Sequence, residues 1–314
     1  VLFRSELHIY AQRHIVAEVG DDPNEISLEE ARKIDPRYEV DDIVETEVTP
    51  RNFGRIAAQN AKQVVVQRIR EAERGMVFEK FSSRENDIVT GIIQRMENKN
   101  VYIDLGKAEA ILTPNEQIPG EIYQYHDRMK TYIVEVKKTS KGPQIMVSRT
   151  HPGLLKRLFE LEVPEIHDGL VEIKSVAREP GMRSKISVYT KDENIDPVGA
   201  CVGHKGMRVQ TIVNELRGEK IDIVKYSSEP DQYVANALSP AKVVSTEVLE
   251  EEKICRVIVP DYQLSLAIGK EGQNARLAAK LTGWKIDIKS ESQAAEEAEQ
   301  GAQEVGVAYE ADED

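Results

Sequence analysis

Two glycine-bracketed phrases carry the clearest chemistry in this sequence. The first is Val202-Gly203-His204-Lys205-Gly206 and the second is Ile268-Gly269-Lys270-Glu271-Gly272. Each follows an apolar residue, runs into helix-like sequence, and closes on a matching phrase. That phrase is Gly218-Glu219-Lys220-Ile221-Asp222-Ile223 in the first copy and Gly283-Trp284-Lys285-Ile286-Asp287-Ile288 in the second. With 19 glycines in 314 residues, one Gly-x-x-Gly arises by chance, but a shared frame around two of them does not. Glycine at both ends lets the backbone turn sharply and lets a sugar-phosphate chain approach without meeting a Cβ. A helix that starts at the loop turns its free N–H groups and its positive end toward that chain. The chemistry implied is non-covalent capture of a single nucleic-acid strand.

The side chains around the loops extend this expectation. His204 and Lys205 offer direct phosphate contacts, and Arg208 follows just beyond. Lys270 does the same in the second loop, whereas Glu271 is expected to turn to solvent. Gln273, Asn274 and Arg276 are expected to reach backbone or base edges. A solvated helix start accounts equally well for any one of these residues, and it is the pair of loops that points to nucleic acid.

Catalytic readings find little support. Gly269-Lys270 lacks the glycine spacing of a Walker phosphate loop. The six histidines are scattered, with no His-Glu-x-x-His and no ligand cluster for a metal. No Gly-x-Ser-x-Gly is present. The chain is therefore expected to be no enzyme and to carry neither cofactor nor metal site.

The net charge of −13 looks wrong for a nucleic-acid binder until it is divided. Residues 291–314 hold nine acidic groups and no Lys or Arg, which leaves 42 basic against 46 acidic over 1–290. Binding must then come from local cationic patches rather than bulk attraction. Aromatics are only 5%, so several small cores are expected. Cys201 and Cys255 lie far apart in apolar stretches and are read as buried reduced thiols of a cytoplasmic protein. No apolar run is long enough to span a membrane.

The elements that must position the loops follow from patterning. Residues 1–50 read as strands at Leu7–Tyr10, His14–Val19 and Ile43–Val48, with a capping box from Ser27 to Glu30. From Phe53 to about Lys80 a long helix carries Ile56, Ala57, Ala61, Val64, Val65, Ile69 and Ala72 as one stripe. That stripe is expected to pack on its own sheet, a rigid spacer being the other reading. Five strands follow, at Ile88–Ile93, Val101–Leu105, Ala108–Leu112, Thr131–Val136 and Gln144–Ser148, and suit a small OB-type barrel. Alternation turns Tyr102 outward on the second strand, where such barrels stack bases. An ordinary exposed tyrosine is the alternative, and both readings stay open. Two repeats follow, each with a Gly-x-x-Gly between short helices, the loop with which KH domains clamp a few nucleotides. Met207, Val209, Ile212, Val213 and Leu216 are expected to form the buried face of the helix after the first loop. The tail at 291–314 is expected to be disordered.

These phrases together resemble the NusA family of transcription elongation and termination factors. The most specific are Arg178-Glu179-Pro180-Gly181-Met182-Arg183-Ser184-Lys185, Asp196-Pro197-Val198-Gly199-Ala200-Cys201-Val202-Gly203 and Asn236-Ala237-Leu238-Ser239-Pro240-Ala241. Ala267 to Ala278 and the helix from Gln59 to Arg74 are similar to the family as well. The resemblance implies an α+β multidomain chain: a truncated α/β N-terminal domain with a long helix, a five-stranded OB-type barrel, and two tandem KH domains of the bacterial type II topology. Its expected bounds are 1–80 for an RNA-polymerase-binding domain, 81–150 for the S1-type barrel, 151–229 and 230–290 for the KH domains, and 291–314 for the acidic tail. The implied partners are RNA polymerase, nascent single-stranded RNA and other elongation or antitermination factors, with no membrane and a monomeric state. Arg183 and Lys185 join the expected RNA contacts, with His126 and Arg128 of the barrel, where the family usually has Gly-Asp-Arg in place of His126-Asp127-Arg128. The chain starts at Val1 and is read as lacking its natural N-terminus.

Overall fold

The computed structural model describes residues 10–20, 24–47, 53–140 and 142–297. The chain forms two compact units, Val1–Arg74 and Gly75–Asp314. In the first, β1 (Tyr10–Val16) runs parallel to β2 (Glu25–Ser27) and antiparallel to β3 (Ile43–Glu47). The Ser27 hydroxyl accepts the Glu30 N–H at 3.3 Å and so starts α1 (Leu28–Ile34) as the capping box requires. Ile15, Ile26, Ala31 and Val44 close the core. The expected strand residues Leu7–Ile9 and Val48 lie outside the described residues.

α2 (Phe53–Ser82) is one continuous helix. The expected packing of its stripe on the sheet is corrected by exposure: Val64, Val65 and Ile69 are 56, 56 and 53% exposed. Among the described residues, the small sheet closes its core with α1 alone. The side chains of Ile56 and Ala57 lie outside the described residues.

The second unit begins with the end of α2, whose Phe81 is buried in the barrel core with Val77 and Phe78 packed against it. The barrel comprises β4 (Ile88–Glu97), β5 (Asn100–Asp104), β6 (Glu109–Leu112), β7 (Arg128–Thr139) and β8 (Gly142–Ser148). It closes in the order β4-β5-β6-β8-β7, with β6 and β8 parallel. Val101 and Ile103 point inward as alternation demands.

Each repeat then builds a three-stranded sheet under helices. The first has α3 (Pro152–Glu162), α4 (Pro164–His167), β9 (Glu172–Glu179), β10 (Arg183–Tyr189), α5 (Pro197–Val202), α6 (Met207–Glu215) and β11 (Lys220–Lys225). The second has α7 (Pro230–Ala237), β12 (Ser245–Leu249), β13 (Ile254–Val259), α8 (Leu264–Ile268), α9 (Gln273–Thr282) and β14 (Lys285–Ser290). In both, an antiparallel hairpin pairs its second strand in parallel with the closing strand. Apolar alternation divides each sheet. Ile186, Val188 and Ile223 face the first repeat's own helices, whereas Ala177 and Val224 join the core of the second repeat. Ile212 of α6 and Leu216 at its C-cap are buried as expected, but Met207 is 67% exposed, since it opens the helix at the loop before the helix meets the sheet.

The tail also departs from expectation at its start. Residues 291–297 are helical. The Ser290 hydroxyl accepts the Gln293 N–H at 3.3 Å, and the Gln293 side-chain oxygen accepts the Ser290 N–H at 3.1 Å. This is a reciprocal capping box, and it starts a helix in acidic sequence. Residues 298–314 lie outside the described residues.

Candidate nucleic-acid interface

Both loops adopt one backbone conformation. Gly203 has φ 74° and ψ 176°, Lys205 φ 51° and ψ 28°, and Gly206 φ 76° and ψ 12°. The second loop repeats this with Gly269 at 77° and 171°, Glu271 at 53° and 28°, and Gly272 at 73° and 14°. The two glycines of each loop are needed for different reasons. A Cβ on Gly203 would lie 2.6 Å from Cγ of Arg208, and one on Gly269 would lie 2.8 Å from both Cβ and the backbone N of Asn274. The second glycine has open space where its Cβ would stand, so its left-handed φ alone selects it. His204, Lys205, Lys270 and Glu271 are all exposed, with Glu271 turned to solvent as expected. Neither bend is occluded.

The residues behind the loops do other work. Arg208 donates to Glu165 of α4 at 2.9 Å and to the Ala200 carbonyl at 2.6 Å, bracing the first loop while staying half-buried. Asn274 is corrected from a nucleic-acid contact to a structural brace. It is 4% exposed, and its amide donates to the carbonyls of Leu238 and Ala267, each at 3.0 Å. Gln273 and Arg276 are likewise engaged, through Glu179 at the end of β9. Gln273 donates to it at 2.8 Å and Arg276 at 2.6 Å, and Arg276 also donates to the Glu271 carbonyl at 3.1 Å. Arg276 beside it, aided by Gln273 against the cost of burial, holds the Glu179 carboxyl below the usual range.

Lys185 is also corrected, and Arg183 beside it is engaged by the same carboxylate. Lys185 is fully buried between the repeats, where its ammonium donates to Asp222 at 3.0 Å and to the Ser239 carbonyl at 2.8 Å. Burial pushes that ammonium's pKa down against the pull of Asp222. Arg183 grips Asp222 with two hydrogen bonds of 2.7 and 2.8 Å. Burial pushes the Asp222 carboxyl up, but Arg183 and Lys185 outweigh it and hold it below the usual range. A cation reading from sequence cannot see the carboxylate that faces it across a parallel strand pair.

On the barrel, Tyr102 does point away from the core, but the Arg95 guanidinium covers its ring at 3.9 Å, itself held by Glu109 at 2.8 Å. One ring face is therefore occupied by the protein's own cation. His126 and Arg128 are exposed, and His126 holds φ 68° at the turn into β7. Between them, Asp127 accepts from Arg217 of the first repeat at 3.0 Å.

Sequence reasoning missed the joints that fix these pieces. Arg149, 1% exposed as a side chain, donates to Glu121, to the Lys130 carbonyl at 2.9 Å, and to the Glu215 carbonyl at 3.0 Å. Lys130 closes the cluster on Glu215 at 3.0 Å. Arg178 grips Glu219 at 2.8 and 2.9 Å and reaches the His151 carbonyl at 2.9 Å. Burial raises the Glu219 carboxyl, yet Arg178, Ser184 and the Gly181 N–H together bring it below the usual range. The available signal was charged residues of opposite sign set in otherwise apolar stretches. Among the described residues, no group of His, Cys, Asp or Glu could hold a metal ion, and no helix is long and apolar enough to cross a membrane.

Four family models match this chain. They are the NusA N-terminal domain over residues 4–75, the S1 RNA binding domain over 82–148, and the NusA-like first and second KH domains over 149–226 and 230–296. The transcription termination/antitermination protein NusA of Halalkalibacterium halodurans is 69% identical over 290 residues, covering 92% of this chain and 76% of that protein. The protein of that name from Bacillus subtilis is 68% identical over 290 residues, covering 92% and 78%. The one from Thermus thermophilus is 46% identical over 275 residues, covering 87% and 71%. With these identities running through most of both chains, the chain belongs to the NusA family of transcription termination/antitermination proteins, whose S1 and KH modules bind RNA and which is not an enzyme family.

Proposed function

We propose that this chain is a non-catalytic RNA-binding transcription factor that docks on RNA polymerase and holds nascent RNA, modulating pausing, intrinsic termination and antitermination. The observation that carries this reading is the pair of exposed loops with one backbone conformation, fixed within the same compact unit as the barrel. The relatives' names, transcription termination/antitermination protein, supply the process. In this reading residues 1–80 serve polymerase binding, 81–150 form the S1-type barrel, 151–229 and 230–290 form the KH domains, and the protein works as a cytoplasmic monomer beside other elongation factors. The RNA contacts proposed are the loop backbones at Gly203, Gly206, Gly269 and Gly272 with His204, Lys205 and Lys270. His126, Arg128 and the free face of Tyr102 extend the path across the barrel.

Single-strand binding by such a surface weakens with salt in proportion to the phosphates neutralised. Gly206→Asp with Gly272→Asp places bulk and negative charge in the open space beside each second glycine, where the RNA backbone must approach. The double variant is expected to lose most RNA affinity with its circular dichroism unchanged, and to lose any effect on pause lifetime on hairpin templates. Intact RNA affinity in that variant would refute the loops as the binding site. Normal RNA binding with no effect of the parent chain on polymerase would instead favour an accessory RNA-processing or ribosomal role.

A further inference from the structure

The two loops share one backbone path, so their side chains can be compared place by place. At the third position of the bend, Lys205 at φ 51° and ψ 28° matches Glu271 at 53° and 28°. Both side chains are exposed, and their charges are opposite. Behind each tip an arginine is already engaged. Arg208 is held by Glu165, and Arg276, close enough to feel the Glu271 charge, is held by Glu179. The first tip therefore keeps the charge of Lys205, whereas Lys270 and Glu271 leave the second close to neutral. Glu271 is fixed through its backbone carbonyl, which accepts from Arg276 at 3.1 Å, and its carboxylate is left to solvent.

The segments leading into the loops differ as well. Counted back from the first glycine, Tyr262 and Leu266 take the places of Asp196 and Ala200. Tyr262 is 82% exposed and Leu266 47%, and their spacing sets them on one side of the helical segment 261–268. Asp196 instead caps α5 by accepting the Val198 N–H at 3.1 Å, and Ala200 offers a single methyl group. The first repeat does expose Met207, but beyond its loop and without an aromatic face. Ahead of the loop, only the second of the two repeats presents an aromatic and aliphatic ledge.

A carboxylate repels phosphate and only accepts hydrogen bonds, so the group it favours is a donor. Adenine, cytosine and guanine each present an amino group, whereas the uracil N–H lies between two carbonyl oxygens. Carboxylates read the cytosine amino group in this way, and unstacked bases of single-stranded RNA lie on aromatic side chains. We propose that the two loops divide RNA recognition: the first grips the sugar-phosphate backbone through Lys205, and the second selects an amino-bearing base through Glu271, with Tyr262 and Leu266 as its ledge. The division rests on both loops meeting RNA.

The test uses oligoadenylate, oligocytidylate and oligouridylate of one length, each able to span both loops. The intact chain is expected to bind the first two about tenfold more tightly than oligouridylate. Lys205→Glu with Glu271→Lys exchanges the tip charges at constant net charge. Since the first repeat lacks the ledge, the exchange should bring the three affinities within about twofold while keeping the salt slope. Tyr262→Ala with Leu266→Ala should narrow the preference at an unaltered slope. Gly206→Asp should flatten the slope more than Gly272→Asp, and only Gly272→Asp should remove the preference. Unchanged circular dichroism is the control for each variant. The division is overturned if the intact chain binds the three strands alike, or if the exchanged chain keeps its full preference. It is overturned too if the exchange removes only the preference for RNA over matching DNA, which would put a ribose hydroxyl at Glu271. Failure of the intact chain to bind any of the strands would refute RNA contact at the loops, and the division with it.

Discussion

Gly203 and Gly269 hold φ values of 74° and 77°, and each leaves room for the side chain five positions later. The obstacles differ, and that difference orders their substitutions. A Cβ at Gly203 meets the flexible stem of Arg208, whereas one at Gly269 meets the backbone N of Asn274 at 2.8 Å, at the start of α9. Left-handed strain costs a non-glycine residue about 1–2 kcal/mol at either site. Gly269→Ala must additionally move a helix, so urea denaturation should show Gly203→Ala losing about 1–2 kcal/mol and Gly269→Ala clearly more. Equal losses would show that the loops are not braced as described. A similar contrast separates Asn274 from Lys270. Asn274→Ala takes the amide donor from the Ala267 carbonyl and from the Leu238 carbonyl, which keeps the Ala241 N–H, and should cost about 1–3 kcal/mol. Lys270→Ala should leave stability within about 0.5 kcal/mol while lowering RNA affinity and flattening its salt dependence. If Lys270→Ala leaves the salt slope untouched, that lysine does not meet phosphate.

At the scale of elements, the hairpin between β9 and β10 joins the second loop to the rest of the unit. Glu179 holds Gln273 and Arg276 at the start of α9, and Gly181 stands so close to Ile118 of the barrel that a Cβ there would lie 2.5 Å from it. Glu179→Ala should therefore spare binding of a short oligonucleotide that fills one loop. It should weaken, about tenfold, an RNA long enough to reach both, because the second contact loses effective concentration. Fluorescence anisotropy with the two RNA lengths separates these outcomes, and equal weakening of both would assign Glu179 a purely local role. The helix-loop-helix frame around each Gly-x-x-Gly was readable because glycine spacing and apolar periodicity are local properties. The barrel strands were readable for the same reason. What α9 rests on was not, since Ala177 and Val224 look like any apolar strand residues until the sheet's second face is seen covered. Lys185 and Asn274 were misread from the same cause: residue type suggests a ligand contact, while Asp222, 37 residues from Lys185, and Leu238, 36 residues from Asn274, help to engage them inside the fold. The capped helix at 291–297 was masked by composition, though Ser290 and Gln293 have the spacing that Ser27 and Glu30 use successfully.

For the whole molecule, the decisive residue is Arg149, a buried cation linking the barrel to the first KH domain. It meets Glu121 from the barrel and both the carboxylate and the carbonyl of Glu215, the last residue of α6, where a cation also complements the helix dipole. Arg149→Met keeps most of the volume but leaves Glu121 buried at 2% exposure without its main counter-charge. Breaking one partner of a buried pair costs about 3–5 kcal/mol, whereas replacing the whole cluster with apolar residues is often neutral. Arg149→Met alone should thus lower stability by that amount and weaken long RNA spanning barrel and loops far more than short RNA. Adding Glu121→Met and Glu215→Leu should return most of the stability. RNA affinity then discriminates between two roles. If the triple variant regains both stability and long-RNA affinity, apolar packing holds the domains as well as charge does. If stability returns and long-RNA affinity does not, the directional hydrogen bonds of Arg149 set the angle at which the barrel meets the two loops, and that angle is what keeps the separate RNA contacts in line.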